Sequence, residues 1–351
     1  MTTQVNGTTG ITFSDSSVQN TAAIGFRNRI INGAMMIDQR NAGASVTPTN
    51  GAYTLDRWSA ILTQASKYSV RQNAGSVANG GSVVAPTGFT NWLGATSSSA
   101  YSVLTGDLFA VRQLVEGFNV ADLGWGAAGA STVTLSFWVR SSLTGTFGGS
   151  LINSAANRFY PFTYTISAAN TWEQKSVTIA GDTSGTWVTD NGIGLGVYFG
   201  LGGGATYSGT AGAWTGTGTP YTATGAVSVV GTSGATFYIT GVQLERGTTA
   251  SSFDFRSYGD ELMLCQRYYY TNVGSTAIMS GLPASGTDTY RQAAPFFPVP
   301  MRASPTISAV WNTGTGQGNQ YIGVQSFQTY TNISSTSGQA SLNSFTASSE
   351  L

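Results

Sequence analysis

The 351-residue chain is long enough for two domains of ordinary size. With no histidine and a single cysteine, it excludes a Cys/His zinc centre, a Ser-His-Asp triad and an intrachain disulfide. Fifteen basic and fifteen acidic residues cancel and no basic run occurs, so the electrostatic footprint of a nucleic-acid binder is missing.

Charged residues make up only 9% of the chain and glycine reaches 46 copies, a balance that fits many short strands joined by Gly-rich turns. An aromatic share of 12% is too high for a disordered chain. The N-terminus lacks a basic-then-apolar leader and no apolar run is long enough to span a bilayer. The expectation is a soluble protein made in the cytoplasm, without membrane insertion.

In residues 1–25 the sizeable apolar side chains, Val5, Ile11, Phe13 and Val18 with Ile24, are too widely spaced to build a core. This predicts a docking arm that buries them on a partner or a sister subunit; the plain alternative is a disordered tail. From Asn28 the run Asn-Arg-Ile-Ile-Asn-Gly-Ala-Met-Met-Ile reads as a buried strand. Further strands are predicted at 53–58, 67–72, 110–116 and 132–140. The last alternates cleanly, with Val133, Leu135, Phe137 and Val139 on one face.

Residues 175–179, 192–199, 227–230 and 237–244 continue the set. In the second of these, Ile193, Leu195, Val197 and Phe199 face inward while Gly192, Gly194 and Gly196 occupy the other face. Outer glycines weaken a strand unless a covering loop or a neighbouring subunit packs over it. In 237–244 the apolar phase slips across Gly241, as a β-bulge would make it do. So many short strands predict an all-β jelly-roll β-sandwich. Ser257 and Asp260 then form a capping pattern for a short helix over 258–269, whose buried face is predicted to be Tyr258, Leu262, Cys265 and Tyr269.

Several stretches together resemble a domain widespread in tailed bacteriophages and prophages. They are Phe26–Arg40, Tyr53–Trp58, Thr134–Phe147 and Phe237–Tyr270, with the Asn6–Phe13 start and the Ser348–Leu351 ending. Such proteins are tail fibres or other virion appendages. The resemblance implies a jelly roll related to carbohydrate-binding modules, non-enzymatic, in a virion and as a homotrimer. The expected division is a docking arm at 1–25, the jelly roll at 26–256, a linking helix at 257–270 and a smaller C-terminal β domain at 271–351. In the last, the Pro-studded 294–305 is an edge or extended segment, and 306–311, 320–327 and 340–347 read as strands.

For an enzyme, Glu173, Asp182 and Asp190 are the tempting carboxylates. Asp182-Thr-Ser-Gly185 and Asp190-Asn-Gly192 are turn chemistry, however, so no catalytic residue is nominated. No cofactor is implied, and no loop has spacing that nominates a metal site. For a glycan binder, flat aromatics must stack on sugar faces. Tyr207, Trp214 and Tyr221, spread through the Gly-rich stretch 200–224, meet that need, against the alternative that Trp214 plugs a gap. The sequence therefore predicts a trimeric tail fibre that binds host surface glycan without catalysis, its arm docking on other virion proteins. The alternative is an architectural capsid-decoration, head-fibre or collar protein.

Overall fold

Period-two alternation requires one apolar face per strand, and two such faces bury each other. The computed structural model describes residues 27–272, the backbone of 289–313, 315–333 and 341–351, and short strands at Gln4–Asn6, Gly10–Thr12, Val18–Gln19 and Met279–Ser280. Eleven strands form the sandwich: β1 Tyr53–Leu55, β2 Trp58–Leu62, β3 Tyr68–Gln72, β4 Leu93–Ser97, β5 Leu108–Glu116 and β6 Val133–Ser141. They continue with β7 Gly145–Ile152, β8 Phe159–Ile166, β9 Glu173–Ile179, β10 Ile193–Gly203 and β11 Thr236–Arg246.

One sheet has six strands in the order β8-β7-β10-β5-β2-β1, the other five in the order β9-β6-β11-β4-β3. All their pairings are antiparallel, and the chain crosses repeatedly between the sheets, which is the all-β jelly-roll arrangement. The core between them contains Trp58, Phe109, Phe137, Phe147, Phe162, Phe199 and Phe237, all fully buried. Burying one such ring contributes about 1.5–3 kcal/mol, so this layer dominates the stability of the sandwich.

The slip at Gly241 is a bulge: β11 loses register with β6 between Thr240 and Gln243. Gly241 has φ +60°, and a Cβ there would lie 2.6 Å from the Phe89 ring. The helix α1 spans Tyr258–Gln266, and the Asp260 amide donates to Ser257 Oγ. Its predicted face needs correction. Cys265 is buried, but Tyr258 is 58% exposed, and the second buried helical position is Glu261. That carboxylate accepts from the Asn32 amide and pairs with Arg256, which a position count of apolar residues cannot anticipate.

The run from Asn28 is buried but is not a strand. Asn32 and Met35 adopt left-handed φ of 57° and 56°, which breaks any extended ladder. Side chains satisfy its backbone instead: the Ile31 amide donates to Gln113 Oε1, Gln113 Nε2 donates to the Ile31 carbonyl, and Asn32 caps Ile37 in both directions. Residues 227–230 are likewise irregular rather than a strand. In the C-terminal region, 320–327 is the connection between strands Thr315–Gln320 and Gln328–Ile333, with Tyr321 at φ 48° and 81% exposed. A second apolar cluster there contains Phe297, Met301, Phe327, Leu342 and Phe345.

Candidate ligand-binding site

The outer face of the six-stranded sheet carries small residues where most solvated sheets carry polar ones. Strand register lines up two rows across β5, β10, β7 and β8. They are Leu114–Gly196–Ile152–Phe159 and Arg112–Tyr198–Ser150–Pro161, followed by the pairs Ala110–Gly200 and Gly148–Thr163, with the Gly148 carbonyl 3.0 Å from where a Gly200 Cβ would lie. Ser59 of β2 extends the second row, facing Arg112.

The glycines leave space that neighbours fill. A Cβ on Gly200 or Gly148 would fall 2.7 or 2.6 Å from Thr222 Oγ1, so the end of the 204–224 segment lies directly on the sheet. A Cβ on Gly194 would meet Val120 at 2.5 Å, and one on Gly196 would meet the Tyr198 ring at 2.7 Å. The loop thus covers Gly148 and Gly200, while Gly192 and Gly194 pack against the 188–190 and 117–120 turns and Gly196 lies under the Tyr198 ring of its own strand.

Where the loop stops short of the strand ends, a pocket of about 150 Å³ remains. Leu114, Gly196 and Ile152 form its floor, Tyr198 and Tyr221 one wall, and Asn153, Ser154 and Ala156 the other. The Tyr198 and Tyr221 rings meet edge to face at 5.1 Å, and Tyr221 also packs on Phe159 and Tyr207. Burial pushes the Tyr221 hydroxyl above the usual phenol range, and Arg112 opposes that shift. Its hydroxyl has no hydrogen-bond partner among the described residues. Asn153 is fully used: its amide donates to Asn157 Oδ1 and the Thr186 carbonyl, and its oxygen accepts from the Asn157 and Arg158 amides.

Arg112 is the one charged residue in the lining. Nε donates to Ser59 Oγ at 3.1 Å and Nη1 to the Tyr198 hydroxyl at 2.7 Å. The arrangement supplies a flat ring, a free hydroxyl and a cation around a cavity smaller than the ~300–1,000 Å³ of a site that engulfs a ligand. It can hold one end of a chain-like molecule.

Of the aromatics nominated from sequence, Tyr207 and Tyr221 are brought to this face, while Trp214 goes elsewhere. Its indole packs edge to face against Trp125, Trp187 and Tyr160, all at 5.3 Å, and its N–H donates to the Ala180 carbonyl at 2.7 Å. Trp125 and Trp187 likewise spend their N–H groups on backbone carbonyls. Trp214 therefore pins the 204–224 segment to the sandwich. Arg112, Tyr198 and Gly196 were missed; the signal available was the single large side chain, Tyr198, interrupting an outer row of glycines.

The carboxylates are each engaged locally. Asp182 is buried in a two-bond pair with Arg158 and accepts the Ser184 amide, Asp190 accepts the Gly192 amide, and Glu173 pairs with Lys175. Among the described residues no group of three His, Cys, Asp or Glu side chains is placed to hold a metal. The arm residues Val5, Ile11, Phe13 and Val18 lie outside the described residues as far as their side chains are concerned. A more open depression of about 390 Å³ lies between α1 and Val299–Pro300, walled by Met263 and Leu264.

No protein-family model and no curated protein matches the chain. Among solved structures it is similar to a putative sugar-binding protein from Bacteroides thetaiotaomicron, at 12% identity and a TM-score of 0.36, over 63% of this chain and all of that one. It is also similar to a family 11 carbohydrate-binding module from Clostridium thermocellum in complex with a mixed-linked tetrasaccharide, at 8% identity and a TM-score of 0.31, over 57% and 96%. A third likeness is to the enzymatically active domain of tailspike protein 4 of bacteriophage CBA120, at 11% identity and a TM-score of 0.31, covering 57% of this chain. There the chain spans about a fifth (21%) of the tailspike's length. With scores this low, none of the three bears on ligand or activity.

Proposed function

We propose that this protein binds glycan without catalysis, through the pocket over Gly196, as a trimeric tail fibre of a phage virion. The pocket carries the binding part of this reading. An aromatic wall, a free phenol and a charged donor on a sheet face suit the apolar face and hydroxyl rim of a sugar. The virion setting, the trimer and docking through the arm at Val5, Ile11, Phe13 and Val18 rest on the sequence resemblance alone. Tyr221, with Tyr207 behind it, serves as the stacking wall, and Trp214 serves packing. The absence of catalysis rests on Glu173, Asp182 and Asp190 each being held in local bonds or ion pairs rather than as an opposed pair.

A glycan array with wild type, Tyr221→Ala and Trp214→Ala tests the reading. The expected result is signal for wild type, loss of at least tenfold for Tyr221→Ala, and retained signal for Trp214→Ala below its lowered melting temperature. Wild-type protein silent across the array favours the architectural role instead.

A further inference from the structure

Seven of the arginines with described side chains are matched to carboxylates. Arg27, Arg29, Arg40, Arg57, Arg158, Arg256 and Arg267 each pair with an Asp or Glu. Of the other described arginines, Arg71, Arg140 and Arg302 donate to backbone carbonyls and Arg246 is exposed, whereas Arg112 lines the pocket. It is half-buried on the sheet face, its described partners are the neutral hydroxyls of Ser59 and Tyr198, and no acidic residue lines the cavity. A half-buried cation beside low-dielectric walls attracts a neighbouring anion more strongly than it would in bulk solvent.

We infer that the pocket is selective for acidic sugars, with the sugar carboxylate paired to Arg112 and the ring against Tyr221; this rests on the glycan-binding reading above. A guanidinium presents planar donor pairs that match a carboxylate in two-bond geometry. Ser59 and Tyr198 hold Nε and one Nη1 hydrogen, which fixes the plane of the group and leaves the Nη2 donors for a ligand. The Tyr221 hydroxyl is free to bond a ring hydroxyl of the same residue. A pocket of about 150 Å³ admits one substituted sugar end rather than several rings, so selectivity is set at a single residue of the chain. Uronates and nonulosonates are the chemical class.

The test uses the intact protein and calorimetric titration with oligosaccharides of polygalacturonate, alginate, hyaluronan and polysialate. Each is paired with its carboxyl-reduced counterpart. Binding of at least one acidic member, weakened tenfold or more by carboxyl reduction and to the same degree by Arg112→Gln, is the expected result, with Arg112→Lys intermediate. Equal binding of acidic and reduced forms, abolished by Tyr221→Ala, overturns the acidic selectivity and leaves the glycan site standing. Wild-type protein that binds neither the acidic nor the reduced forms, nor any neutral glycan on the array, overturns both. Reduction changes the ligand alone, so the outcome does not depend on how well the Arg112 variants fold.

Discussion

The two outer faces of the sandwich are built from the same three residue types and end differently. On the five-stranded sheet, Tyr238 of β11 pairs across from Gly94 of β4, and Arg140 lies 5.6 Å from the Tyr238 ring. On the six-stranded sheet, Tyr198 lies over Gly196 and Arg112 sits 5.5 Å from its ring. In both places a glycine lets a tyrosine lie flat with an arginine beside it. On the first face the 73–92 segment closes over the ring: Ala74, Val83 and Trp92 pack on Tyr238, Trp172 packs on Trp92, and both indoles donate to carbonyls of that segment. On the second the covering loop ends at Tyr221 and leaves the pocket. The comparison separates a sealed face, where aromatics supply stability, from an open one, where the same chemistry is available to a ligand.

Breaking the seal should have the largest effect. Trp92 is 3% exposed, and Trp92→Ala is expected to cost about 3–5 kcal/mol in denaturant unfolding, with glycan affinity unchanged in the folded protein. Gly94→Val follows, because a Cβ there falls 2.4 Å from that of Ala74, a group that cannot swing away. About 1–3 kcal/mol of overpacking cost is expected, again without effect on binding. Gly196→Val should invert the pattern. The neighbours it meets are the edge of the Tyr198 ring at 2.7 Å and Leu114 Cδ2 at 3.2 Å, ends of side chains rather than a Cβ, so the stability loss should fall at the low end of about 1–3 kcal/mol. Glycan affinity should drop at least tenfold by calorimetry. Tyr207→Ala, which removes only a ring behind Tyr221, should change stability by less than about 1 kcal/mol and affinity by about threefold. If Gly94→Val and Gly196→Val behave alike in both assays, the distinction between the faces is wrong.

Much of the fold was legible where local pattern and tertiary demand agree. The alternation at 133–139, the slip at Gly241 and the Ser257 cap all stand in the structure where the residues point to them. Legibility failed where polar groups far apart in sequence replace local structure. The segment from Asn28 reads as a strand because Ile30, Ile31, Met35 and Ile37 are buried, yet its backbone bonds go to Gln113 and Glu261. No window on the sequence contains those partners. The candidate site failed for a related reason. Arg112, Tyr198 and Tyr221 meet only because β5 pairs with β10 and the loop folds back over both. Trp214 was visible and Arg112 was not, because a tryptophan in a loop is conspicuous by type, whereas an arginine lacking a carboxylate is conspicuous only by its surroundings.

The most direct test is a crystal structure of the protein soaked with the oligosaccharide that binds best in solution. The expected result is sugar density over Gly196 against the Tyr221 ring, within hydrogen-bond distance of Arg112. Density on the Trp125–Trp187–Trp214 cluster, or in the depression between α1 and Val299–Pro300, with the Gly196 pocket empty, would contradict the account.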